Sequence, residues 1–283
     1  MAAGSLQVIG SIFKKLPFYD SIVNSVWYKL LRHKIALHVS ARENSTFTGF
    51  LRLPTQYEAL CGPVLDYVGA GNGEVLRIAI IGCSNGAEVY TVASFIKKAR
   101  PNLRFAIEAF DIDRAMLEKG ASGAYAHDEV HNNKRITMVF LEDTFDTQDH
   151  RHRVKQHIKS HVSFAEANVL DPGLAEITGS FDIVFAQNFI FHLKRRDAAL
   201  ALKNLYSVLR PRAALFIDGV DIDMRQRFSR EVGLRPLDFK VEQIHNEARW
   251  AREAGWPYNY WGLEPYGAVR RDAMRRYATI FLR

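Results

Sequence analysis

From residue 75 the chain alternates short, nearly continuous apolar runs with helical stretches, and this alternation narrows the possible fold more than any other feature. The runs are 75–82 (VLRIAIIG), 104–111 (RFAIEAFD), 161–166 (HVSFAE), 181–186 (FDIVFA) and 213–218 (AALFID), followed by 237–244 (LDFKVEQI) and 277–282 (YATIFL). Helical stretches at 86–100, 113–121, 195–209 and 221–232 lie between most of them. Strands that are apolar on both faces need cover on both faces, which is the pattern of a parallel sheet enclosed by crossover helices. The expectation is an α/β fold with a doubly wound, mostly parallel seven-stranded sheet, its last two strands forming an antiparallel edge.

Three segments stand outside the alternation. In residues 11–34, Ile12, Phe13, Leu16, Ile22, Val23, Val26, Trp27, Leu30 and Leu31 fall at helical spacing, with the basic residues largely off the stripe and Pro17 dividing two helical pieces. Such a segment packs on its own domain or lies on a membrane surface. Residues 124–160 are polar and rich in charge and His, as an insertion would be, and 249–268 are dense in aromatics. The expected division is an N-terminal helical segment or lid over 1–70 and a main domain over 71–283. That domain would carry the 124–160 insertion and a 249–268 aromatic cap.

No apolar stretch reaches the roughly 18 residues that span a bilayer, and the first ten residues lack the pattern of a secretory leader. A cytoplasmic protein is expected. The only cysteines, Cys61 and Cys83, exclude a disulfide framework and a Cys-rich zinc site. The net charge of +7 sits at the ends: residues 1–50 carry six basic against two acidic groups, and 249–283 seven against three. Basic flanks suit an anionic membrane surface or an acidic substrate. Nucleic acid is not expected, because no recognised reader motif accompanies them.

In an open α/β sheet, ligands bind beyond the carboxyl ends of the strands. The first such end reads Ile81-Gly82-Cys83-Ser84-Asn85-Gly86, a turn whose glycines permit close backbone approach, although it is neither GxGxxG nor a Walker loop. The second ends in Asp111-Ile112-Asp113. Asp111 is placed to accept hydrogen bonds from a ribose diol, while Asp113 reads as a helix N-cap. The fourth ends in Gln187-Asn188, with His192 four residues further on as a candidate general base. Together these suggest an adenosyl ligand. The pairs His127/His131 and His157/His161 have the spacing of helical metal ligands, but no HExxH accompanies them and Arg and Lys are interspersed. No metal site is expected.

The ordered set of these pieces resembles the chemotaxis-receptor glutamate methyltransferases of the CheR type, a branch of the class I, Rossmann-like S-adenosylmethionine-dependent methyltransferases. Residues 44–60 (NSTFTGFLRLPTQYEAL) are similar to that family's Asn-x-Thr…Phe-Phe-Arg segment, and 82–91 (GCSNGAEVYT) to its Cys-Ser-Thr-Gly-Glu-Glu-Pro-Tyr-Ser loop. Residues 110–113 match Thr-Asp-Ile-Asp, 121–125 (ASGAY) match small-Ser-Gly-x-Tyr, and 168–170 match Asn-Leu-Leu. Residues 181–193 are similar to its Phe-Asp-…-Cys-Arg-Asn-Val-Met-Ile-Tyr-Phe. The resemblance implies S-adenosyl-L-methionine as cofactor and S-adenosyl-L-homocysteine as product. It also implies roles at the matched positions. Arg52 would approach the reacting end of the cofactor, while Gly82, Asn85, Gly86 and Glu88 would hold its amino-acid portion. Asp111 and Ile112 would bind the adenosine from the ribose side, Asn168 and Val169 would flank the adenine, and Gln187 and Asn188 would line the reaction chamber.

This sequence departs from the family pattern where substrate would bind. Gln187 stands for an Arg, His192 for a Tyr, and Gly219-Val220-Asp221-Ile222 for Gly-His-Ser-Glu. The expected activity is therefore methyl transfer to an O or N nucleophile of a small aromatic or amphiphilic molecule. His192 and Arg52 would be the catalytic residues, with Trp256, Tyr258, Tyr260 and Trp261 capping the substrate. The alternatives are a protein carboxyl (glutamate-type) O-methyltransferase, a membrane-associated lipid methyltransferase, and a module that binds cofactor and partner without catalysis.

Overall fold

A computed structural model describes residues 48–132, 134–250 and 264–283, excluding the side chains of 249 and 250. The 11–34 stripe and the expected cap residues Trp256, Tyr258, Tyr260 and Trp261 lie outside the described residues. Among those described, the strands in chain order are β1 (Leu76–Ile81), β2 (Phe105–Asp111), β3 (Ala124–Ala126), β4 (Phe145–Gln148), β5 (Arg151–Val154), β6 (Val162–Glu166), β7 (Phe181–Gln187), β8 (Leu209–Asp218), β9 (Arg235–Pro236) and β10 (Ile280–Leu282). Seven of them form one sheet in the order β6-β2-β1-β7-β8-β10-β9. β6, β2, β1, β7 and β8 pair in parallel, and β10 runs antiparallel to both β8 and β9. The chain begins this sheet at its centre and winds outward both ways, so β1 and β7 flank the switch point where a crevice opens.

The strands are apolar on both faces because both faces are covered. Along β1, Ile78 and Ile80 enter one core while Ala79 and Ile81 enter the other, and all four are buried. On the first face lies α2 (Ala87–Ala99), which contributes Val89, Val92, Ala93 and Ile96. On the second lie α4 (Arg195–Ser207), through Ala201, Leu202 and Leu205, and α5 (Ile222–Glu231), through Ile222 and Phe228. Each of the Val, Leu, Ile and Phe side chains among these contributes roughly 1.5–3 kcal/mol on burial. Polar side chains set the helix starts: Asp113 accepts from the amides of Ala115 and Met116 at the start of α3 (Arg114–Ser122), and Asp221 does the same at α5 for Asp223 and Met224.

Residues 237–244 are not a strand. The edge strand beside β10 is the two-residue Arg235–Pro236, and Val241–Trp250 form helix α6. The alternation Leu237, Phe239, Val241 reads as a strand, but it stops there. The buried positions continue as Val241, Ile244 and Ala248, a helical spacing, while Glu242 and Gln243 are exposed. The last strand is also shorter than expected, because Ala273–Tyr277 form a helical turn before β10 begins at Ile280.

The polar insertion has structure of its own. β3, β5 and β4 form a small antiparallel sheet, joined by the short helices His127–Val130 and Met138–Thr144. It is tied to the segment preceding α1 (Pro54–Ala59) by aromatic packing. The Phe50 ring lies edge-on to Tyr125 at 5.0 Å and to Phe145 at 5.2 Å. Arg135 adds hydrogen bonds to the carbonyls of Arg52 and Glu247. The Glu247 carboxylate in turn accepts from Thr55 Oγ1 at 2.5 Å and from the Thr55 amide, at the N-terminus of α1 where negative charge is favoured.

Candidate functional site

A cavity of about 720 Å³ opens at the carboxyl ends of β1, β2, β6 and β7, within the range of roughly 300–1,000 Å³ usual for small-molecule pockets. Each strand sends its following loop to the wall. Gly82, Cys83 and Ser84 come from β1, Asp111 and Ile112 from β2, Asn168 and Val169 after β6, and Gln187, Asn188 and His192 after β7. Glu88 on α2 and the N-terminal Thr48 and Arg52 complete it.

The turn after β1 requires its glycines. Gly82 has φ 72°, and a Cβ there would stand 2.6 Å from the Phe189 ring. Gly86, at φ 84°, starts α2 against Phe164 and the Gly120 backbone. Asn85 and Gly86 do not line the cavity. They build the turn: Asn85 Oδ1 accepts from the Ala87 amide, and its carbonyl accepts from Tyr125 Oη at 2.6 Å.

Asp111 ends β2 with its carboxylate already accepting three backbone amides. Ser84 donates to Oδ2 at 2.7 Å, and Ile112 and Asp113 donate to Oδ1 at 2.8 and 3.1 Å. This pins the turn after β1 to the end of β2 and holds a negative charge at the cavity wall. Ile112 beside it is 57% exposed, an apolar side chain turned toward open space at the rim. The cavity is also lined by buried Val169 and by exposed Asn168, whose Oδ1 is occupied by the Leu170 amide.

The charge at the opposite end is mixed. Burial pushes the Glu88 carboxyl up to about 7, with the Arg52 guanidinium pulling it down and Asp218 pushing it further up. Asp218, at the end of β8, is itself buried with Arg225 in an ion pair at 3.6 Å. Gln187 donates Nε2 to Gln56 Oε1 at 2.7 Å, while its own Oε1 is buried without a hydrogen-bond partner among the described residues. Asn188 follows at φ 60°, its amide bonded to the Asp218 carbonyl. His192 lies on the one-turn 3-10 helix Ile190–His192, its ring 4.0 Å from that of Phe191.

The fold thus brings together at one cavity Arg52, Gly82, Glu88, Asp111, Ile112, Asn168, Val169, Gln187, Asn188 and His192. Among the participants that sequence reasoning did not single out, two shape the site. Gln56 is fully buried and holds Gln187, and Phe189 fills the space that Gly82 leaves. Both lie inside the quoted family segments, but nothing in their residue type marks them. Tyr266, the one aromatic of the expected cap whose side chain is described, packs on Tyr277 at 4.8 Å rather than lining the cavity.

Comparison with known proteins agrees with this geometry. The family model described as "CheR methyltransferase, SAM binding domain" matches residues 46–228, well over half the chain and every described cavity-lining position. The probable biofilm formation methyltransferase WspC of Pseudomonas aeruginosa is 24% identical over 208 residues, 72% of this chain and 48% of that protein. Chemotaxis protein methyltransferase 2 of Vibrio cholerae is 28% identical over 176 residues, 60% of each chain. The chemotaxis protein methyltransferase of Escherichia coli is 27% identical over 176 residues, 61% of this chain and 59% of that one. The chain therefore spans about half to three fifths of the length of these relatives.

Proposed function

Because the chain belongs to the CheR methyltransferase family through its S-adenosylmethionine-binding domain, we propose that it is a protein carboxyl O-methyltransferase, esterifying glutamate-type side chains of a partner protein. The observation that carries this reading is the family match across the whole cavity, together with relatives that bear the name chemotaxis protein methyltransferase.

The residues present fit the cofactor. Gly82, Cys83 and Ser84 line the cavity at the turn after β1, with the Cβ side of Gly82 filled by Phe189. Glu88 would face the ammonium of the amino-acid portion, Asp111 the ribose hydroxyls, and Ile112, Asn168 and Val169 the adenine. Asn85 and Gly86 hold the turn that shapes this end. When bound, the cofactor supplies an electrophilic methyl group on a sulfonium.

The remaining work falls to the protein. A glutamate carboxylate, with a pKa near 4.3 in solution, is already ionised at neutral pH and needs no general base. What it needs is desolvation and alignment with the methyl group, and positioning of this kind is a large share of a displacement barrier. Arg52, beside Glu88 at the cavity wall, is the cation that would pair with the incoming carboxylate. Gln187 and Asn188 would orient the group from the other side.

A second reading, a small aromatic or amphiphilic acceptor with an O or N nucleophile, is favoured by one observation. His192 stands on the cavity wall where the family pattern has Tyr, and an imidazole can take the proton that such a nucleophile must lose. Incubation with methyl-labelled S-adenosylmethionine and an extract of the source cells separates the two. The protein-carboxyl reading expects label on protein that alkali releases as methanol, absent with Asp111→Asn. Label found only on small molecules, or stable to alkali, overturns it.

A further inference from the structure

We propose that the insertion carries a three-histidine site for a divalent transition-metal ion of the zinc type, formed by His127, His131 and His152. One ring nitrogen from each lies within 4.8 Å of the others. His127 and His131 flank the one-turn helix His127–Val130 and stack at 4.0 Å, while His152 reaches them from the middle of β5, with ring centroids 5.7 and 5.4 Å away. None of the three belongs to the cofactor cavity.

His152 is the observation that points to a ligand. It is 3% exposed, and among the described residues its buried Nε2 has no hydrogen-bond partner, an arrangement that is costly unless something fills it. Its Nδ1 is paired with Thr147 Oγ1 at 2.9 Å. With Nδ1–H donating to that hydroxyl, Nε2 presents a lone pair in a fixed direction, as metal-bound imidazoles usually do.

The closure required is small. A tetrahedral zinc ion with nitrogens at about 2.0–2.1 Å sets them roughly 3.3 Å apart. His127 and His131 are exposed, so their rings can rotate inward onto the fixed Nε2 without moving the core. Three imidazoles suit zinc, nickel or copper rather than magnesium or calcium, and leave a fourth position for water or for His150, whose ring lies 6.1 Å from His127. The ion would clip the helix to β5. The same turn continues into Asn132 and Arg135, which bond the carbonyls of Thr48 and Arg52 at the cavity.

The test uses the full chain, freed of any affinity tag, titrated with zinc chloride by calorimetry and with cobalt(II) by visible absorption. The expected result is one zinc per chain, cobalt bands of four-coordinate intensity, and a rise in Tm of about 5–10 °C at saturating zinc. His127→Ala and His131→Ala, both at exposed positions, should each weaken zinc binding by at least about 30-fold. His157→Ala, outside the cluster, should leave it unchanged. Buried His152 is tested by His152→Gln, kept only if its circular dichroism is native. Absence of binding at about 100 µM zinc, or binding that survives both exposed substitutions, overturns the proposal.

Discussion

Gln187 and Gln56 form a buried amide pair: Gln187 Nε2 donates to Gln56 Oε1 at 2.7 Å, and Gln56 Nε2 donates onward to Thr279 Oγ1 at 2.8 Å. An amide at the end of β7 is thereby held, through α1, by Thr279, the residue that leads into β10. Gln187→Met breaks the relay and removes the buried Oε1. Methyl transfer should fall about 10- to 100-fold while cofactor affinity stays within about threefold, because the loss is of alignment rather than of cofactor contacts. Gln56→Leu should act in the same direction. Wild-type turnover in Gln187→Met would remove Gln187 from the reaction chamber.

Cofactor affinity should depend on Glu88 ionisation. Its carboxyl is raised to about 7, and a cationic ammonium beside it would favour the ionised form. Affinity should therefore rise with pH below 7, by up to about tenfold per unit, and level off above it. Calorimetry at pH 7 in buffers of different ionisation enthalpy should show release of about half a proton on binding. Glu88→Gln should bind more weakly and without this pH dependence.

His192 separates the two readings of the acceptor. With a carboxylate acceptor no proton has to be removed, so His192→Ala should retain activity within about tenfold and keep its kcat–pH profile. Loss of the acidic limb of that profile, with a fall of about 100-fold or more, would favour a protonated small-molecule nucleophile.

Gly219 should tolerate no side chain. At φ 67°, a Cβ there would stand 2.5 Å from the Asn188 Cα, a backbone atom that cannot step aside. Gly219→Ala should cost about 2–4 kcal/mol, a fall in Tm of roughly 5–10 °C. Gly233, at φ 73° with open space around its Cβ position, should cost only about 1–2 kcal/mol when changed to Ala. Equal effects of the two would mean that the contact with Asn188 is not what makes Gly219 necessary.

Stability should fall in mild acid through His245. Its Nε2–H donates to the Glu264 carbonyl at 2.7 Å, and burial lowers its pKa to about 4. Unfolded, it titrates near 6.5, so the unfolded chain binds the extra proton first. Its contribution is complete above about pH 6.5 and is lost as pH falls toward 4. Urea unfolding at pH 7 and pH 4.5 should show about 2 kcal/mol less loss in His245→Gln than in the wild type.

Much of this was legible in the sequence. β1 and β7 are apolar on both faces and could not be stable without a layer on each side, so the doubly wound sheet followed from their composition. The turn at Gly82–Gly86 and the acidic end at Asp111 lie where that topology opens a crevice, and each of them could be named before any coordinates. Residues 237–244 read as a strand and fold otherwise, because three alternating apolar positions also fit the start of a helix. The core chose the helix by burying Ile244 and Ala248 beside Val241.

What the sequence determined by itself is local and periodic: which segments need burial on two faces, where a Cβ is forbidden, and which carboxylate ends a strand. What only the tertiary structure decided is which distant polar groups meet. Gln56 and Gln187 are separated by 131 residues, and His152 joins His127 and His131 through the register of β3 against β5, which sets Tyr125 opposite His152. Such contacts depend on strand register and on the docking of α1 against the end of β7. Those are properties of the whole folded chain, and no spacing along the sequence records them.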